Sequence, residues 1–564
     1  MLPQKFYRRD AEMQRNGELK DKPAPGLFET LISRFFIVFT LRLGVSAVIL
    51  LIGACGSKPT DPRTVIPTDA LVYLETVDLG KTVSAVTENK TFEDLAASRP
   101  DLSALNGIKL SVAVTGFETS EQEITAENSV LNFRPRFVAV AETNAWSWQA
   151  EGFVEHKLGE FINDVYGGGV ELDVTPKKDG KYFAWTAQDG RKAYALLQGS
   201  VIFFGNDETA IEKCLAVQRG EADSIAKNPK ISDGAGRLAF GYISPEGVGQ
   251  ISNLAGISLA MKTGEDGEVQ SFIARVLPEL LRNSFSELTW TASKTEQGIE
   301  DRLTITSNAE VSRVFSETMV PSQPRSDSLA EFLPVSVTSA TKYNLKDPQI
   351  AWRSLLLTAQ KQTDAMSGNI LLAFSGSLFD PYGVEDAETF LSSVGPEILT
   401  AKFDAEGEDA VVLAPIKDLE KAKRSVAKEI DFGKAPNEAG LWISVDGELA
   451  AAIVDGNLIL GHAESVAKCL QAKHNGENLL KHPLFKQFAE SGAVSVTIAT
   501  DTDSAGRIVE IIAGRRSENE NLPTSYITET RFNQNGIERR TVSDFGLIGS
   551  IIERLSEPSA VAGG

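Results

Sequence analysis

Cysteine and histidine are scarce in this chain of 564 residues, which holds three of the first and four of the second. So few cysteines cannot build a disulfide scaffold over such a length, so a folded body must rest on buried apolar surface. The histidines, His156, His462, His474 and His482, form no close pair with a second ligand type at the spacing a zinc site requires. Positive charge is also in deficit: 56 Lys and Arg face 77 Asp and Glu, for a net charge of −21. An acidic surface of that size repels phosphate backbones, which argues against nucleic acid as a partner. No Gly-x-Ser-x-Gly elbow occurs, although a Ser-His-Asp triad drawn from distant positions stays open to the chain. Gly167-Gly168-Gly169 precedes a strand pattern rather than a helix, so it reads as a turn and not as a phosphate loop. No cofactor, metal or catalytic site is expected.

What the chain does have is an apolar run, residues 35–54, that ends in Leu51-Ile52-Gly53-Ala54-Cys55 and gives way to Gly56-Ser57-Lys58-Pro59. This run resembles a bacterial lipoprotein processing site. Small residues before the cysteine let a peptidase close on the backbone, and the thiol of Cys55 carries the lipid. Arg42 interrupts the run, leaving residues 43–54 as an uninterrupted apolar stretch of twelve, a length that suits a signal peptide. The competing reading is an uncleaved transmembrane helix over residues 35–54. It would hold Arg42 mid-membrane at a cost of about 2.5–3.5 kcal/mol. Either reading makes residues 1–54 an N-terminal extension plus a signal peptide or membrane segment, the hydrophilic head being a mis-called start or a cytoplasmic extension. Both place the remainder in the bacterial cell envelope, anchored to a membrane and facing the periplasm or exterior. The first 54 residues carry eight Lys and Arg against five Asp and Glu, so against the chain's −21 the remainder carries −24.

An internal repeat organises that remainder. The segment KYFAWTAQDGRKAYALLQGSVIFFGNDETAIEKCL, residues 181–215, returns as AGLWISVDGELAAAIVDGNLILGHAESVAKCL, residues 439–470. Trp185 matches Trp442, Asp189-Gly190 matches Asp446-Gly447, and Gly199 matches Gly456, all at an offset of 257. Gly205 then matches Gly461, Cys214 matches Cys469, and Gly298-Ile299-Glu300 resembles Gly536-Ile537-Glu538. The expected organisation is a first lobe over residues 65–320, a linker over 321–328, a second lobe over 329–556, and a small disordered tail over 557–564.

Turn chemistry supplies the elements. Runs at 170–175, 182–186, 193–197 and 201–204 are separated by Lys178-Asp179-Gly180, Gln188-Asp189-Gly190 and Gln198-Gly199, which predicts a β-meander. A helix follows over residues 207–219, with Ile211, Cys214, Leu215 and Val217 on its apolar face. Further helices are expected at 82–97, 270–282, 309–318, 348–363 and 547–555, with Pro278 kinking or splitting the second. Further strands are expected at 109–114, 136–141, 288–292 and 303–306. The fold class is therefore α+β: two tandem homologous lobes, each an antiparallel sheet with a β-meander packed against helices.

In this order of parts the chain resembles an uncharacterised family of exported bacterial proteins catalogued as a domain of unknown function. The residues that carry the likeness are an opening run from Ile66-Pro67 to Tyr73-Leu74, a strand from Gly199 to Gly205 before the Cys214 helix, and a closing strand at Gly298. The resemblance spans nearly all of residues 65–545. It implies export and a repeated α+β lobe, and it transfers no activity and no site residues.

Cys214 and Cys469 are expected as buried free thiols, and Trp185 and Trp442 as core packing. Asp501-Thr502-Asp503-Ser504-Ala505-Gly506 has the outline of a calcium loop, but Ala505 stands at the fifth position and Ile512 at the twelfth, where ligands belong. Capping of a helix at 507–513 by Asp503 or Ser504 accounts for it better. The function that follows is non-enzymatic: a lipid-anchored envelope protein that acts as scaffold or binding module for a periplasmic or membrane partner. The alternatives are a carrier or chaperone for a lipid or other apolar ligand under the helix at 270–282, and an envelope hydrolase.

Overall fold

Nineteen strands form one sheet in the computed structural model of the protein, which describes residues 60–556 apart from 126–127, 232–235, 263–266, 323–326, 406, 408 and 515–521. The expected membrane segment at 35–54, Cys55 and the tail at 557–564 lie outside the described residues. Among those described, no helix is long and apolar enough to cross a membrane.

The first ten strands are β1 (Val72–Thr76), β2 (Lys109–Thr125), β3 (Asn128–Glu142), β4 (Glu171–Lys177), β5 (Gly180–Thr186), β6 (Lys192–Gln198), β7 (Val201–Gly205), β8 (Arg237–Ile243), β9 (Phe285–Thr295) and β10 (Gly298–Ser307). The other nine are β11 (Ser339–Asn344), β12 (Glu397–Lys402), β13 (Ala410–Pro415), β14 (Leu441–Ile443), β15 (Leu449–Val454), β16 (Asn457–His462), β17 (Ser495–Asp501), β18 (Thr524–Asn533) and β19 (Gly536–Ser543). Every pairing is antiparallel. From one edge the order of neighbours runs β4-β5-β6-β7-β3-β2-β1-β8-β9-β10. From the other it runs β14-β15-β16-β13-β12-β11-β17-β18-β19. The two series meet where β10 pairs with β19, Arg302 standing opposite Arg540.

The α+β class and the meander hold. The expectation of a separate sheet for each half does not, and the reason is the edge: β10 and β19 would each end a sheet with unpaired amides and carbonyls, and they satisfy one another instead. Charge is balanced across this seam. Arg540 donates to Glu300, and its Nη2 lies 2.7 Å from Glu300 Oε2, while Arg302 Nη1 lies 3.6 Å from Glu538. Burial pushes the Glu300 carboxyl up, but Arg302 and Arg540 outweigh it and hold it below the usual carboxylate range.

The turns form as their residues dictate. Between β15 and β16 both Asp455 and Gly456 take positive φ, 51° and 76°, as a two-residue turn of the primed type requires. The hairpin of β2 and β3 runs further than the expected 109–114 and 136–141. Past Val114 and Val138 its strands have left β1 and β7 and continue as a two-stranded ribbon to Thr125 and Asn128. The expected helix at 82–97 is two, Leu79–Thr87 and Lys90–Leu95, each opened by a side-chain cap, from Asp78 and Asn89. The helix Gly267–Ser284 carries Pro278 without being split, and it presses on the helix Pro245–Lys262 so closely that a Cβ on Gly256 would lie 2.5 Å from Pro278.

Helices that close one series cover the other. The helix Gly546–Ser556, which follows β19, buries Ile548 and Ile552 in one cluster with Val83, Phe92, Trp290 and Ile299. Reciprocally, the helix Ala309–Thr318, which follows β10, buries Val311 and Phe315 with Ala351, and the Phe315 ring meets Phe532 of β18 edge-on at 5.4 Å. A buried carboxylate locks the first of these contacts. Asp301 of β10 accepts from Trp290 Nε1 at 2.8 Å and from the Leu547 amide at 2.7 Å, so a strand of one series caps a helix of the other. Replacing Asp301 by Ala leaves both donors unmet, and we expect a loss of about 2–3 kcal/mol in urea unfolding, with no change in the cooperativity of the transition.

Candidate functional site

A cluster of buried charge lies where the described chain begins. Strand alternation puts Tyr73 and Glu75 of β1 on one face, beside Ser111 of β2 and Phe240 of β8. The Tyr73 hydroxyl donates to Glu75 Oε2 at 2.7 Å and lies 3.0 Å from Ser111 Oγ. Glu75 is only 6% exposed, and two guanidinium groups balance it. Arg237 donates directly to Glu75 Oε1 while lying over the Phe240 ring at 4.5 Å. Arg63 stands 3.8 Å from Glu75 Oε2 and forks onto Asp61, with Nε 3.0 Å from Oδ1 and Nη2 2.6 Å from Oδ2.

Arg63 and Asp61 come from the short turn Pro62–Thr64, which Asp61 caps by accepting from the Arg63 amide at 3.1 Å. Burial raises the Asp61 carboxyl, but hydrogen bonds and charge from Arg63 outweigh it and leave it below its ordinary value. Burial, joined by the negative charge of Glu75, holds the Tyr73 phenol well above its own, so it stays protonated as a donor. The turn roofs a cavity of about 210 Å³ lined by Asp61, Arg63, Glu75, Lys109 and Ser111. Both carboxylate oxygens of Glu75 and Ser111 Oγ are engaged within the cluster, which joins the turn to β1, β2 and β8.

A second carboxylate pins the chain just ahead of this turn. Glu142, at the end of β3, is 1% exposed. Its Oε2 accepts from the Thr60 amide at 2.9 Å and its Oε1 from the Asn144 amide at 3.0 Å. Asn144 turns the chain with φ 54° and donates through Nδ2 to the Gly107 carbonyl at 2.8 Å.

The residues that the sequence singles out lie apart from this joint. Cys214 and Cys469 are buried free thiols on helices Glu208–Gln218 and Ala463–Asn475. Burial pushes the Cys214 thiol up to about 12 and Cys469 higher still. Trp185 stacks on Phe183 at 6.0 Å in the core; Trp442 donates to the Lys434 carbonyl at 2.9 Å and packs on Phe432. Their sheet positions differ by two residues. Counting out from Gly205 and Gly461, Trp442 faces Ala451, the place that Phe183 takes opposite Ala195. Of the histidines, His482 is buried, with Nδ1 accepting from the Leu484 amide, and burial lowers its pKa.

The helix expected at 507–513 starts earlier, as Ser504–Ala513, and the capping carboxylate is neither expected residue. Asp501 Oδ1 accepts from the Asp503 and Ser504 amides at 2.8 and 2.9 Å, because its place at the end of β17 aims it at the first turn. Gly167, Gly168 and Gly169 all take positive φ between the helix Gly159–Tyr166 and β4, a turn as expected. Among the described residues no three His, Cys, Asp or Glu side chains converge as metal ligands.

The Glu75 cluster is missing from the sequence reading although a signal existed: alternation from Tyr73 places a charge on the inward face. Its counterpart by pairing is Lys342 of β11, also buried, which donates to the carbonyls of Phe488 and Ala489 at 2.6 and 2.9 Å near the end of the helix Phe485–Glu490.

No protein-family profile matches the chain, and no curated protein does. Among solved structures, two crystal forms of TP0453 align with it. One is 10% identical with a TM-score of 0.22, covering 44% of this chain and 80% of that one. The other is 11% identical with a TM-score of 0.23, covering 48% and 90%. Likeness at this level carries no argument about fold or function.

Two outcomes follow from the joint and the thiols. Arg237→Met removes the closer of the two guanidinium partners of buried Glu75 and should lower stability by about 3 kcal/mol, while adding Glu75→Leu should restore most of it in the same urea titration. Iodoacetamide at pH 8 should leave Cys214 and Cys469 unmodified by mass spectrometry until denaturant is added.

Proposed function

We propose that this chain is a non-enzymatic, lipid-anchored protein of the bacterial envelope, whose body of two tandem homologous lobes serves as scaffold or binding module for a periplasmic or membrane partner. The observation that carries the reading is the way the body receives the tether. Five residues beyond Cys55 the backbone is already pinned, its Thr60 amide on buried Glu142 and Arg63 tied to Asp61 and Glu75. A leader destined for removal needs a body whose fold begins just after it, and a lipid anchor needs that beginning firmly held.

Duplication is supported by the order of pairing, which reads alike from β5 and from β14, by the placing of Gly298 and Gly536 at the starts of β10 and β19, and by the reciprocal crossing of the two closing helices. The shared sheet favours a scaffold, because lobes joined by backbone hydrogen bonds hold their surfaces at a fixed spacing.

Labelling with a radioactive fatty acid tests the anchor. The natural protein should take up label and remain with membranes, and Cys55→Ser should lose both. Unchanged attachment of the variant with an intact N-terminus would replace the lipid anchor by an uncleaved helix.

A further inference from the structure

The tether that the proposed anchoring implies is short. From Cys55 to Thr60 there are five residue steps, at most about 17 Å of extended chain. A body of this size has a radius of gyration of roughly 23 Å, so the point at which the tether joins it decides which surface meets the membrane. That point is Glu142, which holds Thr60.

The chain that leaves Glu142 is unusual in two respects. From Thr143 to Ala150 it carries no charge, in a protein 24% of whose residues are charged. Within it Trp146 and Trp148 stand 44% and 61% exposed, whereas Trp185 and Trp290 are buried and Trp352 and Trp442 pack on a core cluster. The fold holds these two indoles outward. Glu142 and Asn144 fix the turn, the Thr143 hydroxyl donates to the Ser200 carbonyl at 2.8 Å, and the Trp146 amide donates to Gln149 Oε1 at 3.0 Å at the start of the helix Ser147–Gly152. Trp146 lies four residue steps from Glu142, within about 14 Å of the place where the tether ends.

Exposed indoles beside a lipid anchor have one natural solvent. Tryptophan settles at the headgroup level of a bilayer, where its ring is in apolar surroundings and its N–H meets water or carbonyls. We propose that the Trp146–Trp148 surface is the membrane-facing side of the body and seats in the headgroup layer of the bilayer that holds Cys55. This rests on the anchoring proposed above. A body carrying −24 gains nothing from anionic headgroups, so contact comes from the indoles and is insensitive to salt. A second attachment beside the lipid also fixes the tilt of the sheet over the membrane.

The test uses the full protein reconstituted in phosphatidylcholine vesicles whose acyl chains carry bromine close to the headgroup, with the mass of the N-terminal peptide read from the same sample. Tryptophan emission of the natural protein should be quenched by the brominated lipid. Trp146→Ala/Trp148→Ala should lose that quenching while staying bound through its lipid. Trp148→Ala alone, at the more exposed site, should lose part of it and guards against a folding defect. Unquenched emission from protein that carries lipid on Cys55 overturns the proposed surface. Quenching that persists in the double variant overturns it as well. Quenching of the natural protein with no lipid on Cys55 upholds the surface and overturns the lipid anchor.

Discussion

Eight residue pairs between β10 and β19 decide what kind of molecule this is. Two series of strands with the same order of neighbours could have made two sheets, each with an exposed edge. Pairing these edges saturates the amides and carbonyls on both and makes one surface of nineteen strands. The seam sets Arg302 against Arg540, a like-charge contact made tolerable by Glu300 and Glu538 on the same two strands. With the seam in place the closing helices can reach across it, and Asp301 can cap the helix that begins at Gly546.

The interior of the first series is equally bound to its opening residues. A buried glutamate on β1 would be costly alone, and Arg237, Arg63 and Asp61 complete a neutral cluster around it. Because Arg63 comes from the turn just after Thr60, the beginning of the described chain is part of the core. Lys342 sits at the corresponding place in the other series and solves the same problem differently, by handing its charge to carbonyls at a helix end.

Much of the fold was legible where local chemistry decides it. Asp-Gly and Gln-Gly turns marked the meander, and the helix Ala309–Thr318 falls where its apolar spacing predicts. The ends of β2 and β3 were not legible, since beyond Val114 and Val138 the described strands pair with each other and leave β1 and β7 behind. The start of the helix Ser504–Ala513 was missed because its cap comes from the preceding strand. Periodicity shows that the helix Gly546–Ser556 has an apolar face, but not that the face belongs on Val83, Phe92 and Trp290. The joint at Glu75 was half legible: alternation shows the carboxylate turned inward, while both arginines arrive from segments with no local signal.

The crossing of the closing helices also sets a timetable. Asn89 donates to the Asp544 carbonyl at 3.0 Å across 455 residues of chain, and Phe92 is buried with Ile548 and Ile552. A ribosome makes these partners at opposite ends of its work. Until the last helix is made, Val83, Phe92 and Trp290 lack Ile548 and Ile552, and at ordinary synthesis rates that interval is on the order of tens of seconds. A truncation near the C-terminus would therefore expose apolar surface in the N-terminal half.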